Sequence, residues 1–399
     1  MMSMSAHDRL VAALQGEPTD YLPFSPFLAY VWESFPRAIQ EQGQLAFHQR
    51  IGATPLWRGA PCPVREVLPS EMIVTTLQRG QRTFTEIHTP AGTLRQVKRR
   101  SDQGNTEFLI EHPLKTAADF AVQLWIEEHT RFEVDLNPVR AHLAGDGREG
   151  LSIGMLIPRS KSAFQMLVEH YVGTEALAYA LVDMPDVVEM LWEVMVLKNI
   201  EAARLAMDTG FYTYYLTWED SSTQNYSPRQ YDRYIAPEIS QWCTLLEANG
   251  MHYIQHACGH VRALLPSMKA SGIAGIESIS PPPTGNVALR EAREMLGVQG
   301  KLPSAQGKLP SVQGKLPSVQ GKLPSVQGKL PSVPIAIIGG IEPTHFLSLP
   351  IEALDPYVEQ VIDAARGGPF VLANSDSCPP GVSLEKFERI AAIARGHRG

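Results

Sequence analysis

Two short stretches of this 399-residue chain carry side chains that bind soft metal ions: His256-Ala257-Cys258-Gly259-His260 and, far along the chain, Ser377-Cys378-Pro379-Pro380. In an extended segment side chains alternate, so His256 and Cys258 point the same way and form a chelating pair. Gly259 is expected to let the chain turn away. One imidazole and two thiolates are borderline-soft donors, which select zinc over magnesium or calcium. Three protein ligands, His256, Cys258 and Cys378, leave the fourth tetrahedral position open, as catalytic rather than structural zinc requires. Two thiolates and a neutral imidazole cancel the charge of Zn2+, so a thiolate bound as substrate stays nucleophilic. Taken alone, His-x-Cys also reads as a core cysteine beside a satisfied histidine. Cys62 and Cys243 have no comparable context, and Cys243 reads as core within an amphipathic helix.

A second constellation, Trp218-Glu219-Asp220, directly follows the aromatic run Tyr212-Thr-Tyr-Tyr215. Glu219 and Asp220 are candidates for a substrate hydrogen-bond acceptor, a displaceable metal ligand or a proton acceptor; Asp220 or Ser221 serves equally as a helix N-cap. Asp376, two residues before Cys378, is ambiguous in the same way. Trp218 and Tyr215 are candidate substrate contacts. Arg159, in Pro158-Arg159-Ser160-Lys161, is suited to an anionic substrate group or to a solvated loop.

These residues need a scaffold that gathers them. Short apolar runs at 151–156, 212–217, 252–255, 275–279, 335–338 and 370–373 alternate with helical patterns at 163–206, 228–248, 261–271, 286–296 and 355–366. Strands alternating with helices of this length imply a parallel sheet with right-handed crossovers, and so many units in series favour a single-domain (β/α)8 barrel. Both metal-binding stretches then fall at the carboxyl ends of strands, where such barrels keep their chemistry. Before the barrel units, Arg9–Leu14 reads as an amphipathic lead-in helix ended by Gly16 and Pro18. Residues 80–112 read as hairpins, a small antiparallel elaboration.

At 44% hydrophobic and 19% charged residues the composition is that of an ordinary globular protein, and a formal charge of −7 does not suggest a nucleic-acid partner. Lys98-Arg99-Arg100 is the main basic run and reads as a solvated surface. No basic-then-apolar leader opens the sequence, and no apolar stretch reaches about 20 residues, so neither export nor membrane insertion is expected. Four cysteines without framework spacing fit a reducing compartment, by default the cytoplasm.

Several motifs resemble the uroporphyrinogen decarboxylase superfamily, and within it the zinc-dependent corrinoid methyltransferases. They are Arg9 through Leu14-Gln-Gly-Glu17, Asp20 to Pro23, Thr89-Pro-Ala-Gly-Thr-Leu94, His256-Ala-Cys-Gly259, Ile338-Gly-Gly-Ile-Glu342 and Cys378-Pro-Pro. The resemblance implies a (β/α)8 barrel and places zinc on His256, Cys258 and Cys378. It further implies methyl transfer between a corrinoid on a small partner protein and a small methyl donor, or a thiol or folate-type acceptor. The superfamily's decarboxylases carry an Arg-Gln-Ala-Gly-Arg signature near the N-terminus that holds substrate carboxylates. Here the corresponding Pro23-Phe-Ser-Pro-Phe-Leu-Ala-Tyr-Val-Trp-Glu33 has no arginine, leaving a polycarboxylate without counter-charges. Two alternatives are a metal-free decarboxylase of tetrapyrrole metabolism and a non-catalytic barrel whose structural zinc takes Asp376 or Glu219 as fourth ligand.

Between Val298 and Val333 the heptapeptide Val-Gln-Gly-Lys-Leu-Pro-Ser occurs five times in tandem, with Ala305 the one substitution. A coiled coil is excluded, because each copy carries a glycine and a proline. The insertion, absent from the family pattern, falls in a helix-to-strand loop, on the face of a barrel opposite the chemistry. Deleting residues 299–332 is therefore expected to leave turnover intact; a folded but inactive deletion variant overturns that expectation.

Overall fold

The computed structural model describes residues 3–102, 106–297 and 334–399; the tandem insertion at 298–333 lies outside them. In chain order the strands are β1 (Leu56–Ala60), β2 (Val64–Val67), β3 (Ile73–Arg79), β4 (Arg82–Thr89), β5 (Gly92–Arg100), β6 (Glu107–Glu111) and β7 (Arg131–Val134). They continue as β8 (Leu151–Met155), β9 (Tyr214–Thr217), β10 (His252–His256), β11 (Gly275–Ile279), β12 (Ala336–Ile341) and β13 (Phe370–Asn374).

Seven strands pair in parallel in the order β1-β8-β9-β10-β11-β12-β13, forming a curled sheet of a mixed α/β fold. The residues Pro23–Ser25 connect its two outer strands. Phe24 bridges Leu372 in parallel, and its carbonyl accepts from the Thr54 amide at 2.8 Å. The Ser25 hydroxyl accepts from the Leu56 amide at 3.1 Å.

Because side chains alternate along a strand, each parallel strand serves two layers. Leu56, Ile153, Met155, Tyr214, Leu216, Ile254, Ile338, Val371 and Ala373 make an inner layer, completed by Leu10, Ala13 and Leu14 of the helix Ala6–Gln15. That helix starts on a Ser5 cap and ends at Gly16, whose φ of 73° suits glycine. The opposite side chains, Tyr215, Tyr253, Ile276, Ile337 and Leu372 among them, pack in the larger cluster shared with the helices.

The helices expected over 163–206 form as separate segments. A π-turn at Leu167–Tyr171 ends the short helix from Ala163, Gly173 takes φ 90°, and the chain restarts at Thr174–Asp183 and again at Pro185–Asp208. The expected hairpins form the four-stranded antiparallel meander β3-β4-β5-β6, while β2 and β7 make a separate antiparallel pair. Among the described residues no helix is long and apolar enough to cross a membrane.

The helix Leu289–Leu296 and β12 flank the insertion, and one side chain grips both sides of the gap. Buried Arg293 donates to the carbonyls of Ile335 at 3.0 Å, Pro369 at 2.7 Å and Ala365 at 3.2 Å. Arg293→Met strands these carbonyls and is expected to cost about 3 kcal/mol in denaturant unfolding, through the loss of charge-assisted hydrogen bonds. An unchanged unfolding midpoint contradicts this account.

Candidate metal centre

The inward side chains near the carboxyl ends of the strands are polar, and the same alternation selects them. Above Leu56 on β1 comes Arg58; above Ile254 on β10 comes His256; Glu277 of β11 points opposite to outward-facing Ile276. Both Arg58 and Glu277 have side chains with no solvent exposure. One carboxylate oxygen of Glu277 accepts from Arg58 at 2.8 Å, and the other accepts from His256 Nδ1. The second nitrogen of His256, Nε2, is thereby left to face outward from the sheet.

It faces Asp220. The Asp220 Oδ1 lies 3.2 Å from His256 Nε2 and 3.4 Å from Cys258 Sγ, so imidazole, thiol and carboxylate converge on one point. Their ligand atoms all lie within 4.8 Å of one another. Asp220 is the turn residue after β9, with φ 41°, and its other oxygen pairs with the Lys161 ammonium. Lys161 also donates to the Trp218 carbonyl at 2.6 Å and lies 2.9 Å from the Glu169 carboxylate. Positive and negative groups thus alternate from Arg58 through Glu277, His256, Asp220 and Lys161 to Glu169.

Two glycines admit neighbours that any Cβ would exclude. A Cβ on Gly59 would stand 2.5 Å from the Trp218 indole, and one on Gly259 would stand 2.4 Å from Ser222. The chain bends at Gly259, as expected, and the absence of a side chain there also lets the 221–222 loop lie directly against it. Trp218 stacks on Phe27, with centroids 5.5 Å apart, and sets its ring edge-on to His256 at 5.1 Å. Asn374 holds the Phe27 backbone through both its amide and its carbonyl.

Burial raises the cost of each charge here, and the neighbours decide the outcome. Burial pushes the Cys258 thiol up to about 11, with His256 working against it. For His256 burial acts downward, but Glu277 and Asp220 outweigh it and raise the imidazole well above its ordinary value. Asp220 is driven the opposite way, burial being overcome by His256 and Lys161. This donor set could hold a divalent cation, whose binding would require the thiol to release its proton.

The remaining candidates sit as follows. Glu219 is fully buried and accepts from the Ser162 amide and hydroxyl, both at 2.7 Å, and from Thr217 at 2.8 Å. Its carboxylate ties the β9 loop to the helix beginning at Ala163. Asp220 caps no helix, since the next one begins at Pro228. Tyr215 faces the helices and donates to the Ala206 carbonyl at 3.1 Å. Arg159 meets carboxylates of the chain itself, pairing with Glu66 and, at 2.6 Å, with Glu127. Asp376 takes φ 74° and accepts from the Ser377 amide at 2.6 Å; burial raises its carboxyl, opposed by the charge of His256. Cys378 does not belong to the converging group. It is fully buried in the larger apolar cluster, and its amide donates to the Phe27 carbonyl at 3.1 Å.

Arg58 and Glu277 carry much of this arrangement and were not singled out from the sequence, whereas Lys161 belongs to the Pro158-Arg159-Ser160-Lys161 stretch read as suited to an anion, and the anion it meets is Asp220. The signal was present: a lone charge at an inward position of an otherwise apolar strand, as in Leu56-Trp-Arg-Gly-Ala and Gly275-Ile-Glu-Ser-Ile, needs a buried partner.

A parallel α/β sheet with its polar cluster at the carboxyl ends of the strands defines the broad class of this protein. More particularly, the chain belongs to the uroporphyrinogen decarboxylase family, whose model, described as Uroporphyrinogen decarboxylase (URO-D), matches residues 162–397. In overall fold it is similar to a methyltransferase from Methanosarcina mazei, with a TM-score of 0.52, 14% identity and 99% of each chain covered. No curated protein matches the sequence.

If Glu219 ties the loop rather than reacting, its shape and acceptors matter more than its charge. Glu219→Leu strands the Ser162 and Thr217 donors and is expected to cost about 2–4 kcal/mol of stability. Glu219→Gln, which keeps an accepting oxygen, is expected to retain most of both stability and turnover. Loss of turnover in a stable Glu219→Gln protein would assign the carboxylate a catalytic role.

Proposed function

We propose that this protein is a zinc-dependent methyltransferase, moving a methyl group between a corrinoid carried on a small partner protein and a thiol or other small donor or acceptor. The observation that carries the reading is the convergence of His256, Cys258 and Asp220 at the strand mouths, with Glu277 fixing the imidazole. A histidine whose far nitrogen is held by a buried carboxylate is oriented as metal-binding histidines are. We further infer that Pro23–Ser25, joined to both β13 and β1, is a much shortened stave completing a (β/α)8 barrel, with the tandem insertion in one of its helix-to-strand loops.

His256, Cys258 and Asp220 would hold the zinc, and Cys378 is proposed as a further ligand, with Asp220 the one a substrate displaces so that a position opens. When bound, zinc supplies an electrophilic site that lowers the pKa of a substrate thiol. In the overall reaction toward a thiol, an S–CH3 bond forms and the Co–CH3 bond breaks. Cobalt keeps the bonding pair and the thiol proton goes to solvent. Glu277 holds a proton on Nδ1, so that Nε2 would be the electron-pair donor once its own proton is released. Lys161 anchors one oxygen of Asp220 and leaves the other at the cluster. Phe27 and Trp218 give the cluster an apolar wall on one side, while Asp220 remains open to solvent on the other.

Arg58 and Arg159 are both already paired with the chain's own carboxylates. A polycarboxylate substrate would find neither of these guanidinium groups free, which supports methyl transfer over decarboxylation.

Metal analysis of the purified protein, coupled to demethylation of methylcobalamin with candidate thiols, tests the reading. One zinc per chain is expected, lost in His256→Ala and Cys258→Ser, with turnover lost on chelation and restored by zinc. Glu277→Gln is expected to weaken zinc retention about 10–100-fold against a competing chelator. Loss of zinc in Cys378→Ser places that thiolate in the set, whereas retention leaves the metal to the other three. A wild-type protein that takes up no metal sinks the proposal.

A further inference from the structure

The antiparallel meander carries a charge distribution unlike the rest of the chain. Residues 73–115 hold seven Lys and Arg against four Asp and Glu, in a protein whose totals are 35 and 42. The register sharpens the contrast. Arg79 of β3 stands directly opposite Arg82 of β4, which stands opposite Arg99 of β5, which stands opposite Phe108 of β6. Directly opposed residues share a face, so three guanidinium groups lie side by side with an aromatic ring at the end of the row. All three arginines are exposed, and among the described residues none forms an ion pair. Like charges placed opposite one another destabilise a sheet, so folding alone does not favour this row.

Apolar groups accompany the charges. Leu77, two residues before Arg79, and Phe108 are each 50% exposed, and Ile73 is 61% exposed. Arginine beside exposed aromatic and aliphatic groups is the composition of a protein-binding surface, whereas a surface for nucleic acid is dominated by charge. Strand spacing and rise make the face about 15 Å by about 25 Å, the scale of a transient contact rather than a permanent one.

The aromatic end of the row reaches a cavity lined by one member of the charge series. Phe108 lines a cavity of about 580 Å3 between the meander and the π-turn, and Glu169 and His170 line it from the other side. Glu169 is the last member of the charge series that begins at Arg58, joined to Asp220 through Lys161.

We propose that the Arg79–Arg82–Arg99 row, with Leu77 and Phe108, is the docking surface for an acidic protein domain. Resting on the function proposed above, that domain is the methyl-group carrier. Charge brings the carrier to the meander, and the apolar groups set its register beside the cavity.

The test measures binding of a corrinoid-loaded carrier protein, purified from the source organism by its cobalt absorbance. It compares the wild type with the triple variant Arg79→Gln, Arg82→Gln, Arg99→Gln. A control removes three other exposed arginines, Arg37→Gln, Arg148→Gln and Arg229→Gln, so that net charge changes equally. Circular dichroism verifies that each variant is folded. The carrier's Kd is expected to rise about tenfold or more in the row variant, to change little in the control, and to lose much of its salt dependence only in the row variant. Equal carrier affinity in all three proteins overturns the proposal. So does tighter binding of single-stranded RNA or of phosphatidylserine vesicles than of the carrier, lost in the row variant. Turnover of free methylcobalamin separates the two readings. If the wild type does not use it yet binds the carrier through the row, the catalytic reading fails and the docking surface stands. If free methylcobalamin is used but carrier binding ignores the row, the docking surface alone fails.

Discussion

The arrangement of the centre rests on one buried carboxylate. Glu277 has two oxygens and two obligations: one stabilises the Arg58 guanidinium and the other holds His256. Removing Glu277 leaves the Arg58 guanidinium inside the protein without compensation, a loss on the order of 3–5 kcal/mol for a buried pair. The pair is therefore poor insulation and good scaffolding. It fixes where Nε2 points, and everything outward of it, from Asp220 to Lys161 and Glu169, is placed relative to that nitrogen.

Much of the fold was legible because the parallel strands and their helices obey simple periodicities. The runs at 151–155, 252–256, 275–279 and 370–374 emerge within a residue or so of where apolar alternation puts them. The breaks were less legible. The π-turn at Leu167–Tyr171 preserves the helical pattern of apolar residues while changing its hydrogen bonding, so periodicity passes over it. Strand β1 escaped notice because an arginine and a glycine interrupt its apolar run, and both exceptions belong to the site: Arg58 reaches Glu277, and Gly59 makes room for Trp218.

The candidate centre divides along similar lines. His256, Cys258 and Asp220 were recognisable as chemistry-bearing residues at strand mouths. Their convergence was not recognisable, because it turns on the left-handed backbone at Asp220, which swings its carboxylate to Cys258. Tyr215 shows the opposite effect: an attractive residue type one step out of phase, facing helices while Trp218 faces the cluster. For Arg159 the deciding fact was three-dimensional, since Glu66 and Glu127 come from distant segments.

The bonds that seal the pocket reach across nearly the whole chain. Arg58 finds Glu277 after 219 residues, and Phe27 finds Asn374 after 347. During synthesis Arg58 therefore waits unpaired until β11 has emerged, and the Phe27 backbone waits for the last parallel strand. Contacts of such sequence separation form slowly, because chain closure must precede any gain from pairing. The walls of the centre are thus among the last parts of the molecule to be assembled, whereas its donor groups, Asp220, His256 and Cys258, lie within 38 residues of one another and meet across neighbouring strands.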